Sequence, residues 1–213
     1  MAKNISIRVA KIENYDNVLN FIRKHYYNEE PITISHPESG HTIDDEKFSM
    51  SHIVHDTVLM AIDDQSSETV GVLIAGPIEK GDAIEMLKNA EKSSKKWSDI
   101  QKFLAYIEIK ADVLGKFNLE KALHCHVLTV HQDYRGNRIG QRLFEQCFEN
   151  ARKLNYKLMS VDCTSIFTIR IAEKCGMDCI STTTYDEYNQ SIGEKLFLPK
   201  KPNLEIKTFV KKI

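Results

Sequence analysis

Two sets of residues in this chain have the types and spacing to do chemistry. The first is the loop Arg135-Gly136-Asn137-Arg138-Ile139-Gly140, which joins a run that reads as a strand to one that reads as a helix. The first N–H groups of such a helix lack intrahelical partners and sit at the positive end of its dipole, so the junction is an anion site. Gly136 and Gly140 let the backbone approach a pyrophosphate closely, and Arg135 and Arg138 add positive charge. No G-x-x-x-x-G-K-[ST] and no G-x-G-x-x-G is present, so the two common nucleotide loops lose support. The second set is His124 and His126. Two apart on a strand, they project to one face, and imidazole titrates near neutral pH. They are candidates for moving a proton. A metal site is not supported, because no third ligand stands at a recognisable spacing.

These residues need a strand, a turn and a helix to hold them. Residues 122–130 are apolar and β-branched enough for a buried strand, and Leu143, Phe144, Cys147, Phe148, Ala151 and Leu154 recur at helical spacing after Gly140. Before them, Ile5–Val9 reads as a strand. Asn14 is placed to cap a helix bearing Val18, Leu19, Ile22 and Tyr26 on one face, a helix that ends near Pro31. Residues 33–51 read as a loop with a short helix around 44–50. Residues 57–62 and 70–75 form a hairpin, and 82–94 and 97–114 are helical patterns. Later come a strand at 158–162, a helix from Ser165 to Cys175 stopped by Gly176, a strand at 178–183, a polar excursion and a last strand at 204–210. The alternation predicts an α/β fold with a mixed seven-stranded sheet and helices on both faces, with a ligand beyond the carboxyl end of the motif strand.

Composition narrows the field. At 213 residues and 42% hydrophobic, the chain can bury a full core and is read as one domain over 1–213. Its net charge of −1 gives no overall footprint for nucleic acid. Five cysteines (Cys125, Cys147, Cys163, Cys175 and Cys179) include no C-x-x-C pair, and the two on predicted helices with apolar partners suit reduced, buried thiols. No apolar leader and no membrane-length run is seen, so a cytoplasmic monomer is expected. His25, His36, His41, His52 and His55 fall on helix or loop and are read as surface. Tyr26, Tyr27, Tyr185 and Tyr188 could wall an aryl pocket or pack in the core.

The loop resembles the acetyl-CoA loop of the GNAT acetyltransferases, [QR]-x-x-G-x-[GA] after a strand, with Arg138 where the family usually has its first glycine. Three further stretches extend the likeness to the insect arylalkylamine N-acetyltransferases. They are Glu29-Glu30-Pro31-Ile32, the run from Cys163 through Thr168 to Glu173-Lys174-Cys175-Gly176-Met177, and Tyr185-Asp186-Glu187-Tyr188. The resemblance implies a GNAT fold, acetyl-CoA as co-substrate and a small amine as acceptor: tyramine, dopamine, serotonin or histamine, or instead a polyamine or other aliphatic amine. The alternative of another class is a CoA-binding module without catalysis, for which Arg138 is the sign. It also implies that Glu30 is the base, that Thr164 and Thr168 stand for two helix serines assisting at the amine and the thiolate, and that the backbones of Leu128 and Val130 hold the pantetheine arm. Arg135, Gly136, Asn137, Arg138, Ile139 and Gly140 would take the pyrophosphate. A protonated amine needs a base to unmask its lone pair. Glu30 and His126 both remain open for that role.

Overall fold

The computed structural model describes residues 4–213. Its strands are β1 (Ile5–Val9), β2 (Leu59–Asp63), β3 (Thr69–Glu79), β4 (Lys121–Val130), β5 (Leu158–Cys163), β6 (Asp178–Thr184) and β7 (Glu205–Lys212). Its helices are α1 (Tyr15–His25), α2 (Pro31–Ser35), α3 (Ile43–Ser51), α4 (Asp82–Ala90), α5 (Lys95–Ala111), α6 (Val113–Phe117), α7 (Ile139–Lys153), α8 (Ile166–Lys174) and α9 (Tyr185–Ile192). The strands make one mixed sheet in the order β1-β2-β3-β4-β5-β7-β6, parallel only between β4 and β5. The seven-stranded α/β architecture expected from the sequence is the one the chain adopts.

Alternation along the strands assigns the two faces. Leu59, Ala61, Leu73, Leu123, Met159 and Val161 pack under α7 and α8, where Leu143, Phe144, Cys147 and Phe148 meet them. Met60, Ile62, Val72 and Ile74 point the other way, against Val18, Leu19, Phe21 and Ile22 of α1. A third cluster joins α5, α9 and β7 through Trp97, Phe103, Tyr185, Tyr188 and Ile206, with Phe197 of the intervening loop among them. Tyr27, Tyr185 and Tyr188 are therefore core residues.

The sheet is irregular at its middle. Ile74 pairs with Val127 and Ala75 with Cys125, which leaves His126 as an extra residue on β4. The bulge changes the phase of the strand: Cys125 belongs to the α7 side, Val127 to the α1 side, and Leu128 and Val130 again to the α7 side. Bulges also bend the strand that carries them. β4 accordingly pairs with β5 only from Leu123 to Cys125, and the two strands then part.

Several elements differ from expectation. Pro31 does hold Glu30 in an extended conformation (φ −69°, ψ 120°), but it also occupies the first turn of a new helix, α2, where its missing N–H costs nothing. α1 ends earlier, at His25. Asn14 precedes α1 without capping it, because its Oδ1 accepts from Lys11 N at 2.9 Å. The pattern at 97–114 breaks at Asp112, which turns left-handed (φ 43°) and separates α5 from α6. The polar excursion after β6 contains α9, begun by a capping box between Thr184 and Glu187. His36 and His52 are buried, contrary to the surface reading, while His55 is exposed.

His52 reaches its place because Gly76 has no side chain. A Cβ at Gly76 would fall on the His52 ring, with Nδ1 nearest. Gly76→Ala is expected to destabilise by about 1–3 kcal/mol, a lowered Tm in calorimetry. His52→Ala added to Gly76→Ala should recover part of that loss; simple additivity of the two losses would disprove the contact as its cause.

Candidate active site

Where β4 and β5 part, a cavity of about 90 Å³ opens, lined among others by Tyr26, Glu30, Asp45, Phe48, Trp97 and Thr164. Glu30 caps α2, with its Oε1 accepting from Ile32 N at 3.0 Å and its Oε2 from Thr33 N at 2.6 Å. The residue is 7% exposed. The two bonds fix the carboxylate plane, and each oxygen keeps a further lone pair. α2 is itself held from below by Lys96, a buried lysine whose Nζ donates to Thr33 O at 3.0 Å, to Glu38 O at 2.6 Å and to Gly40 O.

A second carboxylate lines the same cavity. Asp45 of α3 is 8% exposed and accepts from Ser49 Oγ at 3.4 Å. Burial, reinforced by the nearby charge of Glu30, pushes its carboxyl up to about 7. Burial and the same Glu30 charge hold the Tyr26 phenol well above its usual range. Sequence reasoning misses Asp45, Phe48 and Trp97. Asp45 looks like an ordinary first-turn helix acid, and its neighbour in space, Glu30, lies fifteen positions away with an unforeseen helix between them.

His124 and His126 do lie on one face, with ring centroids 4.9 Å apart. His126 stacks on His52 at 4.4 Å and 8° between planes, and its Nε2 has no hydrogen-bond partner in the protein. Burial, with His52 and His124 adding to it, pushes His126 far below the ordinary imidazole value. His124 Nδ1 meets Ser160 Oγ at 2.9 Å, and its Nε2 stands 3.7 Å from Asp162 Oδ2. Burial lowers His124 too, with Asp162 opposing. Both rings are neutral at physiological pH.

The loop after β4 is built from its own backbone and side chains. Asn137 Nδ2 donates to Tyr134 O at 3.0 Å, and Ile139 is buried against the α7 core. Arg138 caps α7 in the left-handed region (φ 59°, ψ 16°), a conformation that costs an L-residue roughly 1–2 kcal/mol. Arg135 is engaged elsewhere: its Nε donates to Val130 O at 3.1 Å and its guanidinium pairs with Glu29 Oε2 at 2.6 Å. The free charge expected of Arg135 is thus neutralised by the turn that precedes Glu30.

Comparison with known proteins fits this geometry. Residues 22–177 match the Acetyltransferase (GNAT) family. The structure superimposes on a mosquito arylalkylamine N-acetyltransferase-like 5b protein with a TM-score of 0.95, at 43% identity over 99% of this chain and 100% of that one. The chain belongs to the GNAT acetyltransferase family. It is an N-acetyltransferase. A Drosophila melanogaster polyamine N-acetyltransferase that forms N-acetylagmatine also matches, with TM-score 0.93 and 29% identity over 99% and 100% of the two chains. So does an agmatine N-acetyltransferase, with TM-score 0.92 and 29% identity over 98% and 99%.

GNAT acetyltransferases use acetyl-CoA, and the architecture here suits it. The stretch His126–Val130 has no strand partner on its β5 side, and it leads into the N-terminus of α7. Gly140 keeps that helix close: a Cβ there would meet Ile171 Cδ1 at 2.9 Å. Leu128 and Val130 pack their half-buried side chains toward α7, which leaves their backbones at the open edge.

The two threonines part company. α8 begins at Ile166 with Ser165 as its cap, so Thr164 precedes the helix that carries Thr168, and the two do not both stand on a helix as the resemblance implied. Thr164 lines the cavity with Glu30, whereas Thr168 Oγ1 is bonded to Ser165 Oγ at 2.8 Å. Burial raises the Cys125 and Cys163 thiols well up and Cys147 to about 12, which keeps them un-ionised.

The environments of Arg138 and Asp45 can be tested by stability. Arg138→Gly is expected to raise stability by about 1 kcal/mol in denaturant melts by relieving the left-handed backbone; an equal or lower midpoint would refute the strain. Asp45 has a folded-state value near 7 against 3.8 for a free aspartate. Its contribution to stability is therefore complete below the free value and is lost as pH rises through about 7. Asp45→Asn should raise Tm relative to wild type more at about pH 8 than at about pH 5, by about 2–4 °C per kcal/mol removed. A gap independent of pH contradicts that environment.

Proposed function

We propose that this N-acetyltransferase moves the acetyl group of acetyl-CoA directly to the primary amine of a small acceptor held in the Glu30 cavity. Arylalkylamines such as tyramine, dopamine, serotonin and histamine are the expected class, since Tyr26, Phe48 and Trp97 line that cavity. The single observation that carries the reading is Glu30: a buried carboxylate, fixed by two backbone N–H groups, facing the gap between the parted strands.

Acetyl-CoA supplies the activated acyl group as a thioester. The chain's own residues supply placement and proton transfer. Glu30 accepts a proton from the ammonium, directly or through water, and frees the nitrogen lone pair. The nitrogen then attacks, a C–N bond forms, the C–S bond breaks, and the departing thiolate takes up the surplus proton that the nitrogen sheds, leaving amide and CoA thiol. Thr164, in the same cavity, is placed to donate hydrogen bonds there, while Thr168 acts at most through Ser165. Backbone N–H groups of β4 around Leu128 and Val130 hold the pantetheine arm and stabilise negative charge on the carbonyl oxygen. The loop Gly136–Gly140 and the first turn of α7 take the pyrophosphate, with Arg135 released to it only if the Glu29 pair opens. Holding both reactants in one cleft turns an encounter into a positioned attack. The un-ionised cysteines favour this direct route over an acyl-cysteine one. Two relatives at 29% identity are agmatine and polyamine N-acetyltransferases, so an aliphatic acceptor is the second reading.

The test is the pH dependence of kcat/KM with acetyl-CoA and tyramine. Glu30→Gln should lose about two orders of magnitude or more and flatten the acid limb. His126→Ala should keep that limb, because burial holds the ring far below its ordinary value. Glutamine keeps only one acceptor for the α2 cap, so Tm is measured beside the rate. If His126→Ala removes the limb while Glu30→Gln stays active, the base is the histidine.

A further inference from the structure

Beside the Glu30 cavity lies a larger chamber of about 210 Å³. The two share Phe48, Leu104, His124, His126 and Asp162 as walls, so they are adjoining spaces on either side of the His124–His126 face. The chamber's wall combines methylene-compatible surface from Ile78, Leu104 and Val113 with four carboxylates, Asp82, Glu85, Glu108 and Asp162. No lysine or arginine lines it, and among the described residues none of the four carboxylates pairs with one. The histidines do not balance this charge, for burial holds His52 at about 4 and His126 lower than its ordinary value.

A second observation points to a missing partner. His52, 7% exposed, lines the chamber, and neither of its ring nitrogens has a hydrogen-bond partner in the protein. A buried neutral imidazole presents one N–H and one lone pair, and leaving both unmet is costly. The carboxylates are only partly used by the fold: Asp162 Oδ1 accepts from Thr208 at 2.6 Å and Asp82 Oδ2 from Glu79 N at 2.7 Å. Glu108 has no cation at hand, and burial with the charges of Asp82 and Asp162 pushes its carboxyl up to about 7. A cation entering the chamber would relieve that crowding.

We propose that this chamber seats a second cationic group of the acceptor, an ammonium or guanidinium separated from the reacting amine by an aliphatic chain. The inference rests on the reading of the Glu30 cavity as the amine site and extends it to diamines and guanidino-amines. The chain would pass the His124–His126 face along Leu104, with the reacting nitrogen at Glu30. The far cation would stand among Glu108, Asp82 and Asp162, where His52 can accept one of its N–H bonds. A neutral ring such as that of tyramine brings no charge to these carboxylates.

The experiment compares two acceptors of matched length, putrescine and n-pentylamine, in which a terminal ammonium replaces a methyl group. Wild type should show kcat/KM for putrescine above that for n-pentylamine by about tenfold or more, and agmatine should behave as putrescine does. Glu108→Gln should shrink that ratio several-fold, chiefly through KM, and Glu85→Gln at the exposed rim is a second variant should the first fold poorly. Equal rates for the matched pair, alongside turnover of tyramine, would overturn the second-cation site while leaving the amine site standing. An unchanged ratio in both variants would overturn it as well. Failure to acetylate any amine, with acetyl-CoA bound, would instead overturn the reading of the Glu30 cavity.

Discussion

After Cys125 the backbone of β4 loses its partner, and the stretch from His126 to Val130 presents N–H and C=O groups on that side without a strand to receive them. Exposed edges of this kind are a liability in a sheet interior, because buried backbone groups demand partners. A bulge at His126 produces the parting, since an extra residue bends the strand and shifts its phase. Two consequences come from one residue. The strand turns an open edge toward the space left by β5, and the same local geometry stacks His126 on His52 rather than into a core.

Electrostatics in that gap depend on depth rather than on the count of charges. The chain is nearly neutral overall, yet carboxylates gather on both sides of the His124–His126 face while the imidazoles between them stay uncharged. Desolvation acts oppositely on the two residue types: it raises Asp45 and Glu108 and lowers His52, His124 and His126. The region is therefore a low-dielectric pocket with a negative rim, an environment complementary to a positively charged guest. Basic residues stand outside it, as Lys96 does in tying α2 to α5.

Local signals govern how much of this architecture is legible in the sequence. The strand-loop-helix unit at 121–153 is legible because alternation, glycine placement and helical spacing all sit within thirty-odd residues. The seven strands carry signals of the same kind. α2 and α9 are not legible, as each is short and each starts from a cap that competes with a loop reading: Glu30 with Pro31, and Thr184 with Glu187. Counting alone puts Thr164 and Thr168 on one helix face, but a capping serine between them starts the helix one residue late. Arg138 shows the opposite case. Its departure from glycine is visible in the sequence, and the backbone nonetheless takes the glycine-like conformation. Asp45 and His52 stay hidden, because their environments are made by contacts distant in sequence, which periodicity does not carry.

Glu30 illustrates how one side chain can be bound by two separate requirements. Its oxygens terminate a helix, and its depth sets it against the cleft. Aspartate is a good helix cap but one methylene shorter, so it would withdraw from the cleft. Glutamine would keep the reach and surrender half the cap. Neither of these two close substitutes meets both demands at once. Change in acceptor preference is left to surrounding walls such as Phe48, Glu85 and Glu108, where a substitution alters shape or charge without unmaking a helix end.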